Sequence, residues 1–208
     1  MIHCNLTDMS EILVLYYSRN GSVAALAGQV ARGINAVPGA SACLRTVPSV
    51  ATGIGNRVPE VPAAGAPYVS SSDLQRCDGL VLGSPTRFGN MAAALKYFID
   101  GTASEWLAGT LRGKPAGVFT ASSSLHGGQE STLLSMALPL MHHGMVLVGI
   151  PYSENALITT RGGGGPYGAS HFAPETSQTE ATPDEARIAQ HLGRRVAEAA
   201  LRLKGWER

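Results

Sequence analysis

The 208 residues carry 16 lysines and arginines against 15 aspartates and glutamates, a formal net charge of +1. That balance excludes a nucleic-acid binder, which needs clustered cations in excess, and disfavours a carrier that docks to its partners by charge. Charged residues make up only 15% of the chain against about 25% in an average domain, so part of the surface is expected to lie against other subunits.

Met1 to Ser10 has no cationic stretch and no apolar core of a signal peptide, and reads as a tail ahead of a single domain over residues 11–205. The first strand is Ile12 to Tyr17, a continuous apolar run of the kind covered on both faces of a sheet. Ser18-Arg19-Asn20-Gly21-Ser22-Val23 follows and opens a helix with Val23, Leu26, Ala27, Val30 and Ile34 on one stripe. Gly33 and Pro38-Gly39 mark the end of that helix, and Ala42 to Val47 forms a second strand. Pro48 to Ser70, with four prolines, reads as a surface excursion, and Ser71-Ser72-Asp73-Leu74 starts a short helix.

Gly79 to Gly83 is a third buried strand, running into Ser84-Pro85-Thr86-Arg87-Phe88-Gly89-Asn90 and a helix from Met91 to Asp100. Trp106 lies in the connection after it, as a packing anchor or a stacking surface. Pro115 to Ala121 is the fourth strand, and Ser122 to Gly128 a loop of small residues. From Glu130 an almost wholly apolar helix runs toward His142-His143, with Pro139 inside it; such a helix is buried in the core or against a partner. Met145 to Ile150 is the fifth strand, and Thr160 to Thr182 a second long excursion. Thr182, Pro183 and Glu185 form a capping box with proline at the first position of the last helix.

Strands alternating with helices predict an α/β fold, a flavodoxin-like three-layer sandwich on a five-stranded parallel sheet of order 2-1-3-4-5. In such a sheet the ligand sits beyond the carboxyl ends of the strands, and the unusual loops do follow strands one, three and four. The first is a phosphate cradle: amides at a helix start favour an anion, and Ser18, Asn20 and Ser22 add side-chain hydrogen bonds. It is neither a Walker A loop nor GxGxxG. The second offers Thr86, Arg87 and Phe88 to the edge and face of a planar polar ring, and the third permits close approach along a flat molecule. No GxSxG elbow supports Ser/His nucleophilic catalysis, and Ser18 and Ser84 stand where a response regulator needs acids.

Cys4, Cys43 and Cys77 form no metal spacing and no CxxC pair, so no metal site is expected. Reduced thiols, the absence of a signal peptide and the absence of a long apolar run read as a cytoplasmic protein without membrane insertion.

With these residues in place, the chain resembles the WrbA-type NAD(P)H:quinone oxidoreductases, a flavodoxin-like family that binds FMN. The matching segments are Val14-Leu15-Tyr16-Tyr17-Ser18, Gly83 to Met91, Gly127-Gly128-Gln129-Glu130, His142-His143-Gly144-Met145 and Arg161-Gly162-Gly163 with Pro166-Tyr167-Gly168-Ala169. The resemblance implies that Ser18, Arg19, Asn20, Gly21, Ser22 and Val23 hold the phosphate of non-covalent FMN. It implies that Pro85, Thr86, Arg87 and Phe88 bind the flavin ring, with Ser122, Ser123, Ser124, Leu125, His126, Gly127 and Gly128 beside it. It places His143 at the active site, where our reading has it donate to the quinone oxygen, and Trp106 in the quinone or nicotinamide pocket. Asn20 stands where family members often carry an aromatic against the nicotinamide, and Leu125-His126 replaces smaller residues. The implied activity is two-electron, ping-pong reduction of a quinone to the hydroquinone by NADH or NADPH, in a homotetramer whose pockets are completed by neighbouring subunits. The alternatives are a flavodoxin-type one-electron carrier and a non-catalytic FMN-binding module.

Overall fold

The structure, a computed structural model, describes residues 9–51, 53, 61–174 and 180–206. Residues 1–8 of the expected tail, with Cys4, lie outside the described residues, as do parts of both excursions, residues 52, 54–60 and 175–179.

Side chains of a strand alternate between faces, so an all-apolar strand must be covered twice. β1 (Ser10–Tyr16) satisfies this with Ile12, Val14 and Tyr16 in one buried cluster and Leu13 and Leu15 in the other. Ser10 therefore belongs to the sheet and not to a tail. β2 (Ala40–Thr46), β3 (Gly79–Pro85), β4 (Pro115–Ser122) and β5 (Val146–Leu147) complete a parallel array in the order β2-β1-β3-β4-β5. The sequence order holds, and a sixth strand, β6 (Ala169–Phe172), is added inside the second excursion.

β5 and β6 share one edge. β5 pairs with Pro115 and Ala116 at the start of β4, and β6 with Phe119 to Ser122 at its end. The expected fifth strand over Met145–Ile150 is thus only two residues long, because the chain leaves the sheet at Gly149. A Cβ there would lie 2.6 Å from the Pro166 carbonyl oxygen, and Pro151 has no amide to continue a ladder. The chain returns as β6 and finishes the edge beside the carboxyl end of β4.

α1 (Ser22–Asn35) and α7 (Pro183–Leu203) cover one face of the sheet. α2 (Ser71–Arg76), α3 (Ala93–Asp100) and α5 (Gln129–His142) cover the other, while the short α4 (Ala103–Leu107) and α6 (Ala156–Thr159) lie in connections. Gly33 is not the end of α1. It lies within it, and a Cβ there would sit 1.9 Å from the Gln190 carbonyl oxygen, as one on Gly193 would sit 2.1 Å from that of Val30. The two glycines let the helix backbones touch.

α5 runs through Pro139 to His142 with Leu133, Met136, Ala137 and Leu140 buried, but Leu134, Leu138 and Met141 remain exposed. Cys43 and Cys77 are free thiols, and burial pushes that of Cys77 up to about 11, which leaves it unreactive. Among the described residues no helix is long and apolar enough to cross a membrane.

Candidate functional site

The parallel array brings the turns that leave β1, β3 and β4 to one end of the sheet. The first turn enters α1 through Gly21, and the initial amides of a helix have no intrahelical partner. Ser18 Oγ accepts from the Ala24 amide at 3.2 Å, which pulls the turn over the helix start. The second turn leaves β3 with Ser84 buried: its hydroxyl donates to the Pro85 carbonyl and accepts from the Ala92 amide at 2.8 Å. The third leaves β4 at Ser122, whose hydroxyl donates to the Ser124 carbonyl at 2.7 Å, and ends at Gly128, where α5 begins.

A cavity of about 410 Å³ lies between them, lined by Ser18, Arg19, Asn20, Ser22, Val23, Pro85, Thr86, Arg87, Ala121, Ser122, Ser123, Ala173 and Pro174. Its volume is in the range of small-molecule sites. Two guanidiniums and four serines line it, with no carboxylate among them. The donor set fits a phosphorylated ligand, and the open hydroxylated floor fits the polar edge of a ring.

The structure gathers most of the predicted residues and disperses the rest. Thr86 lines the cavity, yet its hydroxyl is engaged by Thr132 Oγ1 at 2.6 Å and the Gly128 carbonyl. Phe88 does not line it. Arg87 and Asn90 exchange both backbone hydrogen bonds around a two-residue turn with Phe88 at φ 51° and Gly89 at φ 75°, and the phenyl ring is fully exposed. A bulky residue in the left-handed region costs about 1–2 kcal/mol, so this turn holds the ring outward against a local penalty. Gly21 caps α1 in the left-handed region, at φ 94°, and does not line the cavity. Ser124, Leu125, His126, Gly127 and Gly128 continue the third loop outside the lining, with Leu125 and His126 exposed.

His143 and Trp106 lie elsewhere. α5 leads from the cavity end toward the amino ends of the strands, a path of about 20 Å for its 14 residues. His143 caps it there, next to Gly144, whose carbonyl accepts from the Gly113 amide just before β4. His143 Nε2 is 3.0 Å from the Thr102 hydroxyl, and its Nδ1 is buried with no partner among the described residues. Burial pushes its pKa below the usual histidine value, opposed by Glu105, so the ring is neutral near pH 7. The Glu105 carboxyl is held low by hydrogen bonds from Ser71 and Ser104.

The exposed ring of the pair is that of His142, whose carbonyl accepts the Trp106 indole N–H at 2.8 Å. Trp106, on α4, is half exposed. Sequence reasoning missed Ala173 and Pro174, which close the cavity from the end of β6. The only local signal was the short Ala169–Phe172 stretch inside an excursion read as irregular.

A family model described as NADPH-dependent FMN reductase matches residues 56–155. A curated protein named NAD(P)H dehydrogenase (quinone), from Geobacter sulfurreducens, is 40% identical over 202 residues, covering 94% of this chain and 100% of that one. One of the same name from Solidesulfovibrio magneticus is 39% identical, covering 93% and 99%. Among solved structures, a flavodoxin, WrbA-like protein from Agrobacterium tumefaciens aligns with a TM-score of 0.64 at 24% identity, covering 94% of this chain and 99% of that one. An archaeal flavodoxin aligns at 0.61 and 15% identity over 92% and 99%. These two likenesses speak to the fold.

Proposed function

We propose, from the premise that this chain belongs to the NAD(P)H dehydrogenase (quinone) family, that its strand-end cavity holds FMN and passes two electrons from NAD(P)H to a quinone. The observation that carries the reading is the convergence of three turns on a 410 Å³ cavity rich in hydroxyls and guanidiniums, with no carboxylate among its described lining residues. A carboxylate there would repel both a phosphate and a ring that gains negative charge on reduction.

Each residue then has a physical task. The α1 start, with Ser18, Asn20 and Ser22, offers backbone and side-chain hydrogen bonds to the phosphate, and Arg19 lies at the rim as countercharge. Pro85, Thr86 and Arg87 form one wall for the ring, and Ser122 with Ser123 the other. Bound FMN supplies the hydride chemistry, and the protein supplies position and field. One open face serves nicotinamide and quinone in turn, so the kinetics are ping-pong: the dinucleotide leaves oxidised before the quinone takes up two electrons and two protons as hydroquinone.

The remaining residues act between copies. Trp106, the histidine pair and the exposed α5 residues Leu134, Leu138 and Met141 lie away from this chain's own cavity. In a homotetramer they complete a neighbour's pocket. The donor to the quinone oxygen is then His142 and not His143, since His143 is turned onto Thr102.

The test is a spectrum and an assay. The purified protein shows a flavin spectrum that heat releases, and it oxidises NAD(P)H only with benzoquinone present, giving parallel double-reciprocal plots. His142→Ala slows quinone reduction by up to about 10²-fold, while His143→Ala does so less. A colourless protein that binds no added FMN overturns the reading. Accumulation of a one-electron flavin species during reduction transfers it to a carrier.

A further inference from the structure

Glu185 does more than cap α7. A capping box asks its carboxylate for one bond, to the amide of the cap residue, and Glu185 Oε2 provides it to Thr182 at 2.8 Å. The same oxygen lies 2.8 Å from His171 Nδ1. Oε1 accepts from two amides outside the helix, those of Gly163 at 2.6 Å and Phe172 at 2.8 Å. The side chain is fully buried, where a carboxylate is tolerated only when its oxygens are satisfied. The surplus acceptors are thus aimed at two segments that have no part in α7.

Those segments lead to the cavity. Phe172 is followed by Ala173 and Pro174, which line it, and the Ala173 amide donates to the Ser122 carbonyl at 2.8 Å. Buried Gln129 ties the same wall from the other side: its amide donates to Ser122 Oγ at 2.8 Å, and its oxygen accepts from Ser170 Oγ at 2.7 Å. Ser170 Oγ accepts in turn from the Gly164 amide at 2.6 Å, beside Gly163. The contacts close a ring that runs Glu185, Phe172, Ala173, Ser122, Gln129, Ser170, Gly164, Gly163 and back to Glu185. Neither Glu185 nor Gln129 lines the cavity.

We propose that Glu185 and Gln129 are positioning residues for FMN, a buried polar brace that fixes the Ser122 and Ala173–Pro174 walls at the spacing the flavin needs. This rests on the reading of the cavity as the FMN site. Without the brace the β6 end is free to move away from β4, and the cavity loses its far wall while the sheet and both helical layers remain.

The experiment is FMN titration of the apoprotein at 20 °C, followed by flavin fluorescence quenching, beside thermal unfolding of each apoprotein. Glu185→Gln puts an amide donor against backbone donors at unchanged volume and weakens FMN binding by about tenfold or more. Leu192→Ala, at a buried α7 site away from the ring, lowers Tm yet binds FMN within twofold of the unaltered protein. A merely structural Glu185 would lower Tm and leave the Kd where it was, and that result overturns the proposal. Should Glu185→Gln not fold, Gln129→Met decides: several-fold weaker binding supports the brace, and binding within twofold overturns it. If the unaltered protein shows no quenching, the site reading itself fails and takes the brace with it, a result distinct from loss in the variants alone.

Discussion

α1 and α7 meet backbone to backbone, with Gly33 and Gly193 leaving no room for a methyl group between them. On the opposite face of the sheet α5 keeps Leu134, Leu138 and Met141 in solvent, 49%, 56% and 49% exposed, with Trp106 and Leu107 of α4 exposed as well. One layer is finished within the chain; the other presents the apolar surface that a partner would cover. In the proposed homotetramer, these exposed apolar side chains are what a neighbouring copy covers. On the same proposal the low charge content follows, because a face meant for a neighbour has no use for charges. The cavity lies across the carboxyl ends of the strands, so its shape depends on the closed layer, and in the proposed assembly its completion depends on the open one.

The sharpest way to break this contrast is to disturb the closed layer. Gly193→Val forces a side chain into the Val30 carbonyl, and α7 can yield only by lifting from α1. The expected loss is about 4 kcal/mol, in the range reserved for core overpacking and strain, and it appears as a large fall in Tm or as failure to express folded protein. A variant with Tm near that of the unaltered chain would show that the layer is not closed by contact.

Acid tests the same layer more gently. Hydrogen bonds from His171, Phe172, Gly163 and Thr182 outweigh burial and hold the Glu185 carboxyl at about 2, against 4.5 for an ordinary glutamate. A carboxyl depressed on folding contributes stability that is fully present above its unfolded value and lost as pH falls through the folded one. Unfolding free energy is therefore expected to decline between about pH 5 and pH 2, with Glu185 accounting for about 3 kcal/mol. In Glu185→Gln that part of the decline is absent. An unchanged acid profile in the variant would mean that the carboxylate is not held as described.

Much of this was legible because the physics is local. The buried runs of β1 and β3 read as strands covered on both faces, the capping box at Thr182–Glu185 fixed the start of α7, and glycine-bearing turns after strands one, three and four marked the ligand end. What failed to show depends on distant partners. Gly33 looks like a helix terminator until Gln190 lies against it. β6 is four residues long and gains its strand character from β4, not from its own composition. The two histidines are indistinguishable in sequence, and only Thr102 and the Trp106 indole separate the inward ring from the outward one. Ala173 and Pro174 carry no chemical signature and reach the cavity because β6 pairs with the end of β4 just before them.

The open layer makes the opposite demand, an effect on assembly with almost none on folding. Leu138 is more than half exposed and sits on the outer side of α5, one turn from the equally exposed Leu134 and Met141. Leu138→Arg changes a side chain that is mostly in solvent, and arginine is a good helix former, so the unfolding free energy at low protein concentration should change by less than about 0.5 kcal/mol. Across a two-fold contact each arginine would face its own counterpart or apolar partners, and an unpaired charge in such a contact is strongly unfavourable. Light scattering is therefore expected to give a smaller assembly for the variant, with FMN still bound by each chain and quinone reduction reduced because the neighbour's Trp106 and His142 are gone. A variant of unchanged mass would place the partner surface somewhere other than α5, and full activity in a dissociated chain would show that one copy suffices for the pocket.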